Sequence, residues 1–321
     1  MNQDQNSYCE GTSLASVALM AQVEKLAKAD ATVLLMGEPG TGKNMLAREL
    51  HARSVRSAAP LVEVSLAALS PTLVESELFG HVAGAFTGAE RDRSGRFQAA
   101  GEGTIVLDGI EVLDELLQVK LLRALQERVV EPLGAVEGVE VNARVLATAT
   151  SDLQARVQKG DYRKDLWYRL AVVVLEVPPL RARPEDIAGL VEHLSARVTA
   201  RLGLSPRVLS AAALERLEAH TWPGNVRELE NALERVHALS EPGGGELKPE
   251  EFDFLREGQL AEAQDLARAA LARGLSLEDW TREMIQAALE EQRGNKSAAA
   301  RRLGITRRAL DYRLARGEGE E

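Results

Sequence analysis

A glycine-rich stretch at residues 37–44 contains the residue types that point most directly to a chemistry. It reads GEPGTGKN, follows an apolar run at residues 31–36 and precedes the helix-like LARELHAR. A strand, a glycine turn and a helix start in this order wrap backbone N–H groups around phosphates, while a lysine neutralises the outer oxygens. A glycine turn without a ligand is the alternative. The expected phosphate-binding residues are Gly37, Glu38, Pro39, Gly40, Thr41, Gly42, Lys43 and Asn44.

A second motif, TIVLD at residues 104–108, supplies an acid at the end of a buried strand. We expect Asp108 to hold Mg²⁺ through water beside the nucleotide phosphates. In the general form of the phosphate loop, the residue after the lysine is Ser or Thr, whose hydroxyl binds the magnesium ion. Asn44 occupies that position here. The predicted ligands are ATP and Mg²⁺.

Helical and extended patterns alternate around these motifs. Apolar spacing predicts a packing helix over residues 13–29, and the strand-like runs are LVEVS, TIVLD, VNARVLATAT and VVVLEV. Such alternation predicts a parallel sheet with helices on both faces, and ligands bind beyond the carboxyl ends of its strands. From residue 184 to about residue 240 the pattern becomes helical, which predicts a small lid. Only residues 1–12 precede the first helix, so we expect no upstream sensory domain.

Composition limits the class of protein. The chain has 321 residues, 45% of them hydrophobic, and a net charge of −10. Cys9 is the only cysteine, which excludes an internal disulfide and a cysteine metal cluster. The N-terminus lacks a signal-peptide pattern and no apolar run reaches membrane-spanning length, so we expect a soluble cytoplasmic protein with no membrane partner.

The C-terminal region carries a local positive charge despite the acidic total. Between residues 293 and 316 the only acid is Asp311. The eight basic residues there are Arg293, Lys296, Arg301, Arg302, Arg307, Arg308, Arg313 and Arg316. A basic patch of this kind favours nucleic acid, although an arginine-rich helix is often only a solvated face.

The six residues GAFTGA, within ELFGHVAGAFTGAERDRSGRF, carry a family resemblance. They resemble the signature loop of the bacterial sigma-54-dependent transcription activators, a branch of the AAA+ ATPases. In that family the loop projects from a hexamer and touches sigma-54, whereas the alternative is a mobile loop without a partner. Glycines at both ends permit unusual backbone angles, and Phe86 offers an apolar tip. The resemblance therefore implies sigma-54 contacts by Gly84, Ala85, Phe86, Thr87, Gly88 and Ala89.

The resemblance extends from about residue 10 to residue 316. In RKDLWYRL, Arg163 and Arg169 match positions that reach a neighbouring subunit's nucleotide, one as an arginine finger that offsets charge on the transferred phosphoryl group. Either arginine alone would suggest a surface salt bridge. The segment WPGNVRELEN resembles the sensor II motif, which implies that Arg227 points at the nucleotide phosphates. The alternative is a helix start capped by Asn225. A ring, expected to be a hexamer, is implied.

The last unit resembles the Fis-type helix-turn-helix that ends many of these activators. Gly304 allows the tight turn, and Thr306 can cap a second helix that would enter the major groove. The implied DNA-binding residues are Lys296, Arg301, Arg302, Thr306, Arg307, Arg308 and Arg313. The predicted boundaries are an AAA+ α/β nucleotide-binding subdomain at 1–183, a helical lid at 184–240, a linker at 241–276 and an all-α helix-turn-helix domain at 277–321.

The sequence departs from the family around the γ-phosphate. The family's strand ends in aspartate and then a glutamate that polarises the attacking water, whereas Asp108 is followed by Gly109. Ser65, Thr150 and Asn44 replace three other polar residues of the family's site. Loss of a positioned general base lowers rates by about 10²–10⁴. Glu111, two residues on, is a candidate substitute for the missing glutamate. It faces the same way as position 109 if the strand stays extended, but it would then lie ~6–7 Å farther along, beyond hydrogen-bond reach unless the backbone bends.

Three functions remain compatible with these residues. The leading hypothesis is an ATP-dependent activator that binds upstream DNA, forms a ring and remodels sigma-54 RNA polymerase through the GAFTGA loop. The alternative is a hydrolysis-deficient, DNA-bound regulator that acts as an antagonist or mixed-ring partner. Intact Arg163, Arg169 and Phe86 favour the first, and Gly109 favours the second. A general protein-remodelling ATPase is disfavoured by GAFTGA and the DNA-binding end.

Overall fold

The computed structural model divides the chain into two compact units, Met1–Phe252 and Asp253–Glu321. The residues described are 9–68, 70–205, 207–239, 245–255, 268, 271–274, 276–292 and 294–317. Arg293, the side chain of Arg316 and most of the expected linker lie outside this description.

A five-stranded parallel sheet forms the centre of the first unit, in the order β2-β5-β8-β1-β9. Its strands are β1 (Val33–Met36), β2 (Leu61–Ser65), β5 (Thr104–Asp108), β8 (Arg144–Ala149) and β9 (Val173–Glu176). Three of them, β1, β5 and β8, are buried along nearly their whole length, as expected for inner strands of a sheet covered on both faces. The predicted parallel α/β fold is confirmed.

Alternate side chains of the central strand β1 enter two separate cores. Leu34 and Met36 pack into a large core that also contains Phe79 and Leu121, whereas residues 33 and 35 pack into a smaller core with Leu46. This division follows from the two-residue period of a strand. Helices therefore cover both faces of the sheet.

The other elements of the first unit connect and cover these strands. Its remaining helices before the lid are α1 (Leu14–Ala27), α2 (Lys43–Ala52), α3 (Pro71–Phe79), α4 (Arg96–Ala100), α5 (Glu115–Glu127), α6 (Leu153–Lys159) and α7 (Lys164–Leu170). Two short antiparallel pairs are β3 (Gly80–His81) with β4 (Arg93–Ser94), and β6 (Val129–Val130) with β7 (Val139–Glu140). A 3₁₀ helix, Ile110–Val112, follows β5 and is separated from it by Gly109 alone.

The lid is built mainly from α8 (Ile187–Leu202), α9 (Ala211–Glu218) and α10 (Asn225–Leu239). Trp222 is fully buried between α9 and α10, and its indole N–H donates to the Leu217 carbonyl at 2.8 Å. The stretch is not wholly helical, because β10 (Val208–Leu209) pairs in parallel with β11 (Glu246–Leu247). Sequence periodicity did not predict this two-residue strand.

The second unit contains three helices in its C-terminal part: α11 (Leu277–Glu291), α12 (Lys296–Arg302) and α13 (Arg307–Gly317). Ile285, Ala299, Ala300 and Leu310 form a small shared core. Among the described residues, no helix has the length and apolarity needed to cross a membrane.

Candidate nucleotide-binding site

The phosphate loop joins the end of β1 to the start of α2, as predicted. Three of its glycines have positive φ: Gly37 at 157°, Gly40 at 79° and Gly42 at 100°. A Cβ on Gly40 would lie 2.2 Å from the carbonyl oxygen of Gly224, so a side chain there would collide with the lid. Lys43 begins α2, and its ammonium donates to the carbonyls of Gly37 at 2.8 Å and Glu38 at 2.9 Å.

The Lys43 side chain lies among charges of both signs. Burial lowers the pKa of Lys43 from its ordinary value, and the Arg227 guanidinium acts in the same direction. The Glu111 and Asp108 carboxylates act against that lowering of the pKa. The loop thus brings one cation and two acids together where phosphates are expected.

A cavity of about 580 Å³ opens between the phosphate loop, the carboxyl ends of the strands and the lid. Lys43, Asp108 and Arg227, all expected at the nucleotide, line it. The four departures from the family also meet here: its walls include Asn44, Ser65, Gly109 and Thr150. The predicted clustering of these four positions is therefore observed.

Asp108 is oriented by the neighbouring strand. The β5 and β8 register sets Asp108 opposite Thr148, whose hydroxyl donates to Oδ1 of Asp108 at 2.7 Å. The same hydroxyl accepts a hydrogen bond from the Gly109 N–H at 3.1 Å. Sequence reasoning missed Thr148, because its contribution depends on strand register.

Oxygen ligands suitable for Mg²⁺ are present at this end of the cavity. Asn44 Oδ1 is buried and has no hydrogen-bond partner within the described segments, and the Asp108 carboxylate lines the same cavity. Mg²⁺ takes one or two such protein oxygens together with water and substrate phosphates. Among the described residues, no group of three or more His, Cys, Asp or Glu residues is placed to hold a metal ion. The residues present fit the ion.

Glu111 reaches the cavity by a different route from the one expected. The strand does not stay extended: Gly109 has φ 81° and ψ 53°, and a 3₁₀ turn follows. The backbone therefore bends between Asp108 and Glu111, and the condition of an extended strand is not met. Glu111 nevertheless lines the cavity, and within the described residues its buried Oε2 atom has no hydrogen-bond partner.

The start of α10 contacts the phosphate loop directly. The Val226 N–H donates to the Gly40 carbonyl at 3.0 Å. The Asn225 side chain does not cap α10: its Oδ1 accepts from the Leu180 N–H at 2.7 Å, and its amide donates to Glu38 and to the Pro39 carbonyl. Asn225 therefore ties the lid to the loop.

Two arginines from the segment before the lid also contact the loop. Arg183 is buried, lines the cavity and donates to the Thr41 carbonyl at 3.0 Å. Arg181 forms two hydrogen bonds with Glu38, at 2.5 and 2.7 Å, and lowers the pKa of that carboxyl. The contact of Arg183 with the phosphate loop was not predicted from the sequence.

Arg163 and Arg169 do not line the cavity of their own chain. Arg163 pairs with Asp165, with a shortest distance of 2.7 Å. The Arg169 guanidinium donates to the Leu125 carbonyl at 2.8 and 3.1 Å.

The GAFTGA residues form a turn with the expected backbone freedom at its ends. Gly84 and Gly88 have φ values of 82° and 102°. Phe86 is not a fully exposed tip, because its ring packs edge-on against His81 with 5.0 Å between ring centroids. The turn is closed by hydrogen bonds that include the Gly84 N–H to the Ala89 carbonyl at 2.8 Å.

The second unit has the predicted helix-turn-helix features. Gly304 has φ 66° in the turn, and the Thr306 hydroxyl accepts from the Ala309 N–H at 3.2 Å at the start of α13. Lys296 and Arg307 lie near Asp311, and Arg302 pairs with Glu291. Three further arginines of this unit have exposed side chains and form no ion pair with any described residue: Arg301, Arg308 and Arg313.

A parallel sheet, a phosphate loop after its β1 strand and a lid held to that loop define a P-loop nucleotide-binding fold of the AAA+ class. Comparison with known families agrees. The model described as "Sigma-54 interaction domain" matches residues 9–176, "AAA+ ATPase lid domain" matches 181–269, and "Bacterial regulatory protein, Fis family" matches 276–317. The chain belongs to the sigma-54-dependent transcription activators, with ATPase and DNA-binding domains.

Individual relatives are similar over nearly the whole chain. The "Transcriptional regulatory protein ZraR" of Salmonella typhimurium is 45% identical over 307 residues, covering 95% of this chain and 68% of that protein. The "Response regulator protein PilR" of Pseudomonas aeruginosa is 44% identical, with the same two coverages. The crystal structure of NtrX from Brucella abortus in complex with ATP has a TM-score of 0.69 at 32% identity, covering 95% of this chain and 68% of that one. These likenesses support nucleotide binding.

Proposed function

We propose that this activator binds and hydrolyses ATP in the cavity beside the phosphate loop and uses the cycle to remodel sigma-54 RNA polymerase at promoters. The observation that carries the proposal is the convergence of Lys43, Asp108 and Arg227 on one cavity. The loop residues 37–44 would hold the phosphates, and Arg227 would sense them from the lid. Because Asn225 and Val226 bond to the loop, a change at the phosphates would be transmitted to α10.

Mg²⁺ is proposed to be held by Asp108 and Asn44 together with the nucleotide. When bound, the ion would neutralise charge on the β- and γ-phosphates. Thr148 orients Asp108 for that contact through the 2.7 Å hydrogen bond. Asn44 Oδ1, buried without a partner among the described residues, would gain one.

Ring assembly would complete the site from a second copy of the chain. Arg163 and Arg169 lie outside their own cavity, which suits arginines that act on a neighbour's nucleotide. We expect a hexamer by family resemblance. The six residues 84–89 would contact sigma-54, and release of Phe86 from His81 would make its ring available for that contact.

DNA binding would be provided by α12 and α13. The α13 helix would enter the major groove with Arg307, Arg308 and Arg313, while Lys296, Arg301, Arg302 and Thr306 would contact phosphates. We propose the boundaries 1–183, 184–240, 241–276 and 277–321, except that β11 at 246–247 belongs with the lid because it pairs with β10. A DNA and polymerase partner also favours a cytoplasmic location.

A second candidate function follows from Gly109. A glycine cannot orient or deprotonate water, so ATP could serve only as a ligand for assembly. The protein would then be a hydrolysis-deficient, DNA-bound regulator that antagonises or joins active relatives in mixed rings. ATP binding would be common to both candidates, and turnover would separate them.

Magnesium-dependent phosphate release by the purified full chain tests the proposal. Turnover should be present in the native protein and lost in Lys43→Ala, because the loop then lacks the charge that binds the outer phosphates. An Arg123→Ala variant is a matched control, since Arg123 is an exposed residue on α5 outside the cavity. ATP binding without any Lys43-dependent phosphate release would instead support the regulator that does not hydrolyse.

A further inference from the structure

Glu111 has a buried carboxylate oxygen that lacks a partner. Its Oε2 atom forms no hydrogen bond with the described residues, and Glu111 lines the same cavity as Lys43 and Asp108. Removing an ionised carboxylate oxygen from water is costly unless a donor or cation replaces the water. Because Glu111 lines the cavity, the groups that fill the cavity are candidate partners for its carboxylate.

The chemistry of the nucleotide limits what that partner can be. Phosphate oxygens of ATP are negatively charged acceptors and cannot donate a hydrogen bond to a carboxylate. A water molecule can donate to Glu111, and a hydrolytic site must also hold a water next to the γ-phosphoryl group. Water is therefore the occupant that suits both the carboxylate and the reaction.

The backbone turn after β5 brings Glu111 to this position. Gly109 adopts the left-handed conformation. Two backbone hydrogen bonds close the turn: the Val112 N–H donates to the Gly109 carbonyl, and the Leu113 N–H donates to the Ile110 carbonyl. Arg156 donates to the Glu111 carbonyl at 2.5 Å and holds the turn from α6. Glu111 is therefore carried on a turn and not on an extended strand.

The Glu111 carboxylate lies close enough to act on Lys43. Together with Asp108 it opposes the lowering of the Lys43 pKa by burial. Burial raises the pKa of the Tyr162 hydroxyl and the charge of Glu111 raises it further, so the carboxylate lies among groups on both sides.

We propose that Glu111 is the catalytic base for ATP hydrolysis, in place of the side chain that Gly109 lacks. The inference rests on the proposed ATPase function. The water oxygen forms a bond to the γ-phosphorus as its proton passes to the Glu111 carboxylate. The bond between the γ-phosphorus and the bridging oxygen breaks, and its electron pair stays on ADP. Glu111 then returns the proton to the phosphate product or to solvent.

Phosphate release by Glu111→Gln, measured with saturating Mg²⁺ and ATP, tests the proposal in the full chain. We expect kcat to fall by about 10²–10⁴, because the amide cannot accept the proton, while the Kd for ATP stays unchanged in a calorimetric titration. Glu127→Gln is the matched control: Glu127 is exposed at the end of α5, and its variant should turn over ATP at the native rate. Glu111→Asp keeps a carboxylate and should retain more turnover than Glu111→Gln.

The outcomes separate this inference from the proposed function. Lys43-dependent turnover that survives in Glu111→Gln overturns the role of Glu111 and leaves the ATPase function intact. Absence of Lys43-dependent turnover in the native chain overturns both. Full recovery of Glu111→Gln at higher Mg²⁺ would make Glu111 a metal ligand and would also overturn the proposal. An equal loss of ATP turnover in Glu111→Asp and Glu111→Gln would also contradict the assignment of Glu111 as the catalytic base.

Discussion

Thr148 holds Asp108 across the β5–β8 pair, with 2.7 Å between the threonine hydroxyl and Oδ1 of the aspartate. The two residues are 40 positions apart in sequence and directly opposite in the sheet. Thr148 is buried and Asp108 is half-buried, and both residues line the cavity. The hydrogen bond holds the Asp108 carboxylate in one orientation at the wall where we propose that the metal ion binds.

Thr148→Val should therefore weaken the response to magnesium. Valine keeps the shape of threonine but cannot donate to Asp108, and loss of such an outer partner typically lowers metal affinity about 10–100-fold. We expect the Mg²⁺ concentration that half-saturates turnover to rise by that factor, with a loss of about 1–3 kcal/mol in the free energy of unfolding. Thr148→Ser keeps the hydroxyl and should behave as the native chain. An unchanged Mg²⁺ requirement in Thr148→Val would argue that Asp108 needs no such support.

Local sequence patterns predicted individual strands of the sheet but not the contacts between them. The predicted runs LVEVS and TIVLD coincide with β2 (Leu61–Ser65) and β5 (Thr104–Asp108), because turn residues bound these short runs. The pairing of Asp108 with Thr148 depends on register between distant segments, and no local pattern encodes it. The strand β10 was missed for the same reason, since its partner β11 lies beyond α10. The direction of Glu111 depends on the sign of one φ angle, at Gly109, which composition does not determine.

Gly109 should be sensitive even to alanine. Its φ of 81° is unfavourable for any residue with a Cβ, whereas the nearest atom to an added Cβ is 3.9 Å away. Strain rather than a collision should thus lower the free energy of unfolding of Gly109→Ala by about 1–2 kcal/mol in urea titrations. The same strain applies to Gly109→Glu, so that variant is a poor restoration of the family's residue.

Gly160→Ala is the matched control for this effect. Gly160 has a similar φ of 87° and open space around it, at the end of α6 outside the cavity. Both variants should lose comparable stability, but only Gly109→Ala should reduce ATP turnover, because it disturbs the turn that carries Glu111. Equal turnover in the two variants would contradict the role assigned to the turn.

Asn225 should couple lid stability to the phosphate loop. It is fully buried, has φ 53°, and bonds to Leu180, Glu38 and Pro39. Asn225→Gly removes these hydrogen bonds without backbone strain and should cost about 1–3 kcal/mol of unfolding free energy. Asn225→Ala should cost about 1–2 kcal/mol more, because alanine is disfavoured at this φ. Denaturant titrations of both variants separate the loss of hydrogen bonds from the backbone strain. Equal stability of Asn225→Gly and Asn225→Ala would show that strain makes no contribution.

His237 predicts a dependence of stability on pH. Burial lowers the pKa of His237 below its ordinary 6.5, and Arg207 acts in the same direction while Glu251 opposes it. The unfolded chain therefore binds a proton more readily than the folded chain. The contribution of neutral His237 to stability is complete above pH 6.5 and is lost as the pH falls from 6.5 toward the lower folded pKa.

His237→Leu should reduce this loss. Nε2 of His237 is buried without a hydrogen-bond partner among the described residues, so leucine removes the titrating group without breaking a bond to that atom. Thermal unfolding at about pH 7.5 and about pH 5.5 should show a smaller decrease in Tm for the variant than for the native chain. An identical decrease would place the acid sensitivity on other groups, of which His51, also buried with a lowered pKa, is the next to substitute.

Arg308 should contribute to DNA affinity through charge. It is exposed on α13 and, in the part of the chain that is described, has no ion pair, unlike Arg302 with Glu291. Each phosphate contact adds about 0.9 to the slope of log K against log salt concentration, so Arg308→Ala should reduce that slope by about one if Arg308 contacts a phosphate. If it instead reads a base, affinity should fall by about 1–3 kcal/mol for the specific site alone. Arg282→Ala removes an exposed arginine from α11 and should change neither the salt slope nor the affinity for the specific site. If Arg308→Ala also changed neither, Arg308 would not contact DNA.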